Sequence, residues 1–204
     1  SPHDTEVSTL PTALVTGSPE RVPDIAIALK SAGFDILAAG AMSPDDAPDL
    51  EANSVDCYVQ LPVDGPRPSG GALRRTRDVI AGELLARFDT AARFLPLLAP
   101  SATVVLVTEG PDPWDSEARV PDSDHKARRA LVGVLAEAIL RDCGRAGVRA
   151  TVVGADRAPE EIAALAGHRP SEPLPWWLYA SVDPDLDFAD WRNSVLCLAS
   201  LRST

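Results

Sequence analysis

Short uncharged apolar runs alternate with stretches whose apolar residues recur every three to four positions, and this alternation continues along nearly the whole chain. That pattern constrains the fold more than any other feature, because strands buried on both faces read as continuous apolar runs and the helices covering them read as one-sided stripes. Ala13 to Thr16 is such a run and ends at Gly17. Ile25, Ala28, Leu29 and Ala32 then recur at helical spacing until Gly33 supplies a stop. Phe34 to Ala39 reads as a second strand. Val55 to Leu61 reads as a third, closed by Pro62, which lacks the N–H a ladder needs. Ala102 to Thr108 is a fourth and Val148 to Val153 a fifth.

Between these runs, Ile80, Leu84, Phe88, Ala91 and Leu95 predict one face of a long helix. Leu131, Leu135, Ala138 and Ile139 predict another, capped by Ser123 or Asp124 and ending near Gly144 or Gly147. Glu160 to Leu165 predicts a short helix, and Asp187 opens a terminal one with Phe188, Trp191, Val195 and Leu198 inward. Gly40 to Ser54, rich in Pro and Asp, and Val63 to Gly71, with two prolines and three glycines, read as loops. The expected fold is therefore α/β. Ser1 to Thr9 reads as a disordered polar tail, and residues 10–204 as one domain.

With 30 acidic against 19 basic side chains, the chain carries a formal charge of −11. Such a surface is a poor match for nucleic-acid phosphates or an anionic membrane. No apolar stretch approaches the roughly 20 residues of a membrane span, and a cytoplasmic location is expected. Cys57, Cys143 and Cys197 are too scattered for a disulfide framework or a zinc knuckle, and each reads as a buried thiol in a reducing compartment. Six acids, Glu109, Asp112, Asp115, Glu117, Asp122 and Asp124, follow the fourth strand. Their spacing matches no calcium loop and prolines intervene, so no metal site is expected. His125 stands beside Asp124, as an acid/base pair would, but reads as a lone exposed histidine at a helix start, and His3 and His168 have no partner at a recognisable spacing.

The opening Val15-Thr16-Gly17-Ser18-Pro19-Glu20-Arg21-Val22-Pro23, followed by an Ala/Ile-rich helix and Gly33-Phe34-Asp35-Ile36-Leu37, resembles the first unit of a short-chain dehydrogenase/reductase. Asp56-Cys57-Tyr58-Val59 resembles the strand before that family's Asn-Asn-Ala-Gly motif. Phe94-Leu95-Pro96-Leu97-Leu98 and Val104 to Thr108 resemble its fourth helix and fifth strand. Arg129-Ala130-Leu131-Val132-Gly133-Val134 resembles the helix after its Tyr-x-x-x-Lys pair, Gly147-Val148-Arg149 its sixth strand, and Val195-Leu196-Cys197-Leu198-Ala199-Ser200 its last helix. The resemblance implies a Rossmann-like three-layer α/β/α sandwich. Gly40 to Ser54 is too short for the helix, strand and helix that the family places there, so a shortened, mainly parallel sheet of about five strands is expected, in the order 2-1-4-5-6 of the family's labels.

The family's functional residues do not carry over. Of its three fingerprint glycines only Gly17 is present; the others fall near Arg21 and Pro23, where a side chain takes the space of a phosphate and proline removes a donor. The Asn-Asn-Ala-Gly stretch reads Gln60-Leu61-Pro62-Val63. Asp124 stands at the tyrosine position, Arg128 at the lysine, Glu109 beside Thr108 near the serine, and Glu83 near the asparagine. An aspartate is ionised at neutral pH and cannot protonate a reduced carbonyl unless its pKa rises by several units.

The expectation is thus a catalytically degenerate protein of this type, kept for binding or assembly, with no cofactor. The alternative is an NAD(P)-dependent oxidoreductase with an unorthodox site, any nucleotide lying on Thr16, Gly17, Ser18 and Arg21. By analogy with the family, helices over residues 73–98 and 123–145 are expected to pair the chain with itself or with an active relative. Trp176, Trp177 and Tyr179 fall where the family covers its substrate and could line a site for a small apolar ligand.

Overall fold

The computed structural model describes residues 10–40, 52–63, 69–109, 123–143 and 146–167. Five strands form one all-parallel sheet: β1 (Thr12–Thr16), β2 (Asp35–Gly40), β3 (Val55–Gln60), β4 (Leu98–Thr108) and β5 (Arg149–Gly154), in the order β2-β1-β3-β4-β5. This is the Rossmann-like α/β architecture that the alternation predicts, with the expected five strands in the expected order.

Each strand feeds both layers because successive side chains point to opposite faces. Ala13, Val15, Cys57, Val59, Val105, Val107 and Val153 pack with helices α1 (Val22–Ser31) and α5 (Pro159–Ala166). Leu14, Tyr58, Val104, Leu106 and Ala150 pack on the other face. That face is covered by α2 (Ala72–Val79), a π turn (Ile80–Leu84), α3 (Leu85–Phe94) and α4 (Ser123–Cys143). Gly33 ends α1 as its position predicts. With φ at +94° it lets the Phe34 N–H reach back to the Leu29 carbonyl at 3.0 Å, satisfying the last turn.

Two details depart from the sequence pattern. The long helix buries Val79, Glu83, Leu84, Arg87, Ala91 and Phe94, while Ile80, Phe88 and Leu95 sit half-buried at the margin. The π turn adds a residue to the helical register, so Glu83 and Leu84 both face inward, and two charged side chains on that line cannot be found by looking for apolar ones. β4 starts at Leu98 rather than at the expected Ala102, so that Pro100, just past the helical segment ending at Leu97, lies inside it. The ladder is irregular there, and Ser101 adopts φ +65°, so no pairing N–H is lost to the proline.

In a parallel sheet all carboxyl ends lie along one edge. Thr16, Gln60, Thr108 and Gly154 therefore close their strands side by side, and the loops that follow form the crevice where open α/β sheets place their ligands.

Candidate functional site

Among the described residues eight polar or charged side chains are buried; seven, Thr16, Ser18, Gln60, Glu83, Arg87, Thr108 and Asp124, lie at or beside this carboxyl edge, and Thr103 lies elsewhere. Buried polar groups persist where they are paired, and here they form three adjoining sets.

The first is the loop after β1. Gly17 has φ +124°, and a Cβ there would sit 2.6 Å from both Cβ and the carbonyl oxygen of Leu61. The glycine is thus required by the approach of the β3 end. The Leu61 N–H donates to the Thr16 carbonyl at 2.8 Å and the Ser18 N–H donates to the Pro62 carbonyl at 2.9 Å, which ties the two loops together across β1 and β3. The Ser18 carbonyl accepts the Arg21 and Val22 amides at 3.2 Å each. Arg21 reaches across the crevice, its Nη2 donating to the Ala155 carbonyl at 2.6 Å after β5. Amides that a glycine-rich loop offers to a phosphate are spent here on the chain's own carbonyls, so these residues do not fit a dinucleotide pyrophosphate in the manner of the fingerprint.

The second set fills the space under the ends of β1 and β3. The Arg87 Nε donates to Gln60 Oε1 at 2.9 Å and its Nη2 to the Gln60 carbonyl at 3.3 Å. The Gln60 amide donates to the Arg87 carbonyl and to the Tyr58 hydroxyl, each at 3.0 Å. Tyr58 and Thr16 share a hydrogen bond of 2.9 Å. Burial pushes the Tyr58 hydroxyl up to about 12 despite the bonds from Thr16 and Gln60. It also draws Arg87 down to about 10, against the opposing pull of Tyr58, Glu109 and Glu83. Tyr58 is fully buried, so it cannot stand in for the tyrosine missing at position 124.

The third set holds the residues that the sequence register places at catalytic positions. Arg128, on α4, grips Glu83, on the π turn, in a bidentate pair: Nε to Oε2 at 2.8 Å and Nη2 to Oε1 at 2.9 Å. Glu109, just beyond β4, approaches the same Nε at 3.0 Å. The hydrogen bond to Glu83 is the largest influence holding Arg128 in its charged form. Asp124 stands one turn earlier on α4. Its Oδ1 accepts the Thr76 hydroxyl at 2.8 Å and its Oδ2 accepts Arg75 Nε at 3.1 Å. The Thr76 hydroxyl above all, with Arg75 and Ser123, holds this carboxyl below the usual carboxylate range against the opposing effect of burial. Thr108 does not face the crevice as a substrate-polarising serine would, because its hydroxyl donates to the Val153 carbonyl at 3.2 Å.

The structure therefore brings Glu83, Glu109 and Arg128 into direct contact, sets Asp124 beside them, and ties Thr108 to the backbone of β5. Chemically, the cluster offers an aspartate held anionic and an arginine held cationic, neither suited to passing a proton near neutral pH. Arg87, Arg75 and Thr76 are not singled out by motif reading. The one signal for Arg87 was a charge four residues after Glu83, on a helix side that also carries Ala91.

Trp176, Trp177, Tyr179, the terminal helix, Ser1 to Thr9 and the acids from Asp112 to Asp122 lie outside the described residues, as do His3, His168 and Cys197. Of His125 the side chain is not described. Among the described residues no cluster of three metal-ligating side chains occurs and no helix is long and apolar enough to cross a membrane. Cys57 is sealed in the core as expected, and burial pushes its thiol up to about 12, so it is inert, whereas Cys143, near the end of α4, is only half-buried.

No family model matches the chain and no curated protein matches its sequence. Its shape is similar to solved structures of short-chain dehydrogenases/reductases. A Serratia marcescens protein carrying two phenylalanine-to-tyrosine changes matches with 16% identity over 77% of this chain and 87% of that one, at a TM-score of 0.50. One from Corynebacterium glutamicum matches with 16% identity over 76% and 90%, at a TM-score of 0.46. At 16% identity the Serratia likeness speaks for a shared fold alone, the Rossmann-like α/β fold described above.

Proposed function

We propose that this protein is a catalytically degenerate relative of the short-chain dehydrogenases/reductases, working by binding or assembly rather than by hydride transfer, and holding no dinucleotide. The observation that carries this reading is Arg128, whose guanidinium is engaged by Glu83 and Glu109 at the place where the family's lysine, asparagine and serine would meet a substrate. With two carboxylates against it, the guanidinium's field is offset and leaves little to lower the pKa of a neighbouring hydroxyl, and Asp124, at the tyrosine position, is an anion with no proton to give. The self-bonded loop after β1 adds a second line of support.

Assembly is supported by the helices over residues 73–98 and 123–145. Leu73, Leu85 and Val134 on them are 88%, 56% and 51% exposed, large apolar side chains that a pairing surface would cover. The protein acts as a homodimer, or pairs with an active relative, in a cytoplasmic setting.

Melting the protein with and without millimolar NAD(H) or NADP(H) tests the first part. A nucleotide present at 100 times its dissociation constant adds about 2.7 kcal/mol, a rise of several degrees. No rise with any of the four is expected, and a rise followed by turnover of a carbonyl substrate restores the oxidoreductase alternative.

A further inference from the structure

Helices α1 and α5 lie side by side on the sheet, and the Arg21 bond to the Ala155 carbonyl ties their starts together. Both run from the carboxyl edge to the opposite edge. There a Cβ on Gly167, which ends α5, would touch the Phe34 ring at 3.8 Å. Their inner sides close on the strands, while their outer sides leave a groove of about 430 Å³ between them. Its floor is made of small residues, Ala28 and Ala32 from α1 and Ala163 and Ala164 from α5, and Ile27 on its wall is 63% exposed. A single exposed isoleucine is ordinary, but this one stands over an alanine floor that admits a further helix closely.

Charge distinguishes the two ends of the groove. Asp24 and Glu160, in the first turns of α1 and α5, both line it near the carboxyl edge, and Lys30 stands in the last turn of α1. Among the described residues none of these three has an ion-pair partner.

The chain's own C-terminal sequence matches this pattern. Phe188, Trp191, Val195, Leu198 and Arg202 follow one another at intervals of three, four, three and four, the stripe of the terminal helix that the sequence predicts. Asp183, Asp185, Asp187 and Asp190 lead into the stripe and Arg202 closes it. From Trp191 to Arg202 it spans about 16 Å, close to the length of α1. Residues 168–186 connect Gly167 to it and, extended, span several times that length.

We propose that residues 187–202 dock as a helix in the groove between α1 and α5, antiparallel to both, with Arg202 between Asp24 and Glu160. Because α5 already holds the sheet beside α1, the segment forms a tier outside that layer. Charge sets the direction. An antiparallel helix brings its cation to the two acids and turns its aspartates toward Lys30, whereas a parallel one would set the aspartates against Asp24 and Glu160. Antiparallel packing also opposes the helix dipoles. This reading goes beyond the proposed function and does not depend on it.

Trypsin acting on the folded full chain reads the docking at the bond after Arg192, with the release of residues 193–204 followed by mass spectrometry. Cleavage of a segment that opens and closes quickly tracks the population of its open form, so wild type is expected to be cut about tenfold more slowly than Ile27→Asp or Ala164→Arg. These two changes fall at exposed positions, one on each wall, and circular dichroism and melting check that both variants fold. Arg202→Glu is expected to speed cleavage about threefold, as loss of a rim ion pair would. In an Asp24→Asn/Glu160→Gln background the same change is expected to do nothing, which isolates the pair. Equal rates in wild type and both wall variants overturn the docking. An effect of Arg202→Glu that survives neutralisation of the two acids overturns the direction. Protection that rises with protein concentration between about 1 and 100 μM, the range of a micromolar contact, assigns the groove to the segment of a second copy and overturns docking within the chain.

Discussion

The two helical layers of this sheet are built on different principles. On one side, α1 and α5 close over the strands with Val22, Ile25, Ala28, Leu29, Ile162, Ala163, Leu165 and Ala166, and neither helix buries a charge. On the other, α2 to α4 bury Leu84, Phe94, Val132 and Ile139 by the same means but also take in Glu83, Arg87 and Asp124 beside the carboxyl edge. Apolar burial is non-directional and tolerant of small shifts, whereas a bidentate ion pair tolerates little. The charged layer is thus the one whose register is specified, and it lies where the fold would otherwise bind and act on a ligand.

The largest effects should come from a core side chain in one layer and from the ion pair in the other. Ile25→Ala, at 1% exposure, is expected to cost about 4 kcal/mol in denaturant unfolding through lost transfer energy and the cavity left behind. Arg128→Ala is expected to cost about 3 kcal/mol, chiefly because Glu83 is left buried without a counter-charge. A second change separates the two. Glu83→Leu with Arg128→Met removes both charges and should recover most of the loss, because an apolar pair of similar volume has no charge to leave unpaired. Recovery that fails would show the cluster to do more than pair charges. The Ile25 and Arg128 substitutions lie on opposite sheet faces and should add within about 0.5 kcal/mol; a larger departure would show the layers to be coupled.

The same contrast explains how much was legible in the sequence. The five strands and the stop at Gly33 were readable because they depend on local runs and on a glycine with positive φ. The strand order was not legible from the runs themselves; it came from the family resemblance, with the short stretch between the second and third strands removing one strand from the family's order. The α1 and α5 layer was readable for the same reason. Glu83, Glu109, Asp124 and Arg128 could be picked out by register, but their pairing could not, since Arg128 and Glu83 lie 45 residues apart in the chain. Arg87 and Gln60 were harder still. Each takes up the other's polar groups, so neither makes sense alone, and a helix pattern scored on apolar residues passes over both.

A smaller effect, confined to acid, should mark Asp124. Its folded pKa is depressed, so the stability it contributes is fully present above the unfolded value of about 3.9 and is lost as pH falls through the folded value. Asp124→Asn keeps the shape, weakens the bonds from Thr76 and Arg75, and removes this dependence. The variant should melt below wild type at pH 7, and the gap should begin to narrow below about pH 4 and close as pH falls through the lower folded value. A gap that persists unchanged at pH 3 would assign the loss to packing at the start of α4 rather than to the carboxylate. Ile25→Ala serves as the control from the other layer, its deficit having no acid limb.

The smallest expected change is a gain. Gly82 sits in the π turn of the charged layer, exposed, and a Cβ there would meet nothing within 4 Å. Its φ is not in the left-handed region, so nothing in the backbone demands glycine. Gly82→Ala should then stabilise the protein by about 0.5–1 kcal/mol by restricting the unfolded chain, a rise of about 1–4 °C at this size. The outcome sharpens the contrast between the layers, because Glu83, the next residue, is held by Arg128 only if the π turn keeps its wide geometry. A rise confirms that the turn is set by the ion pair and not by the glycine. A fall, measured on protein kept dilute enough to be monomeric, would mean that Gly82 permits the π turn and that the charged layer depends on it.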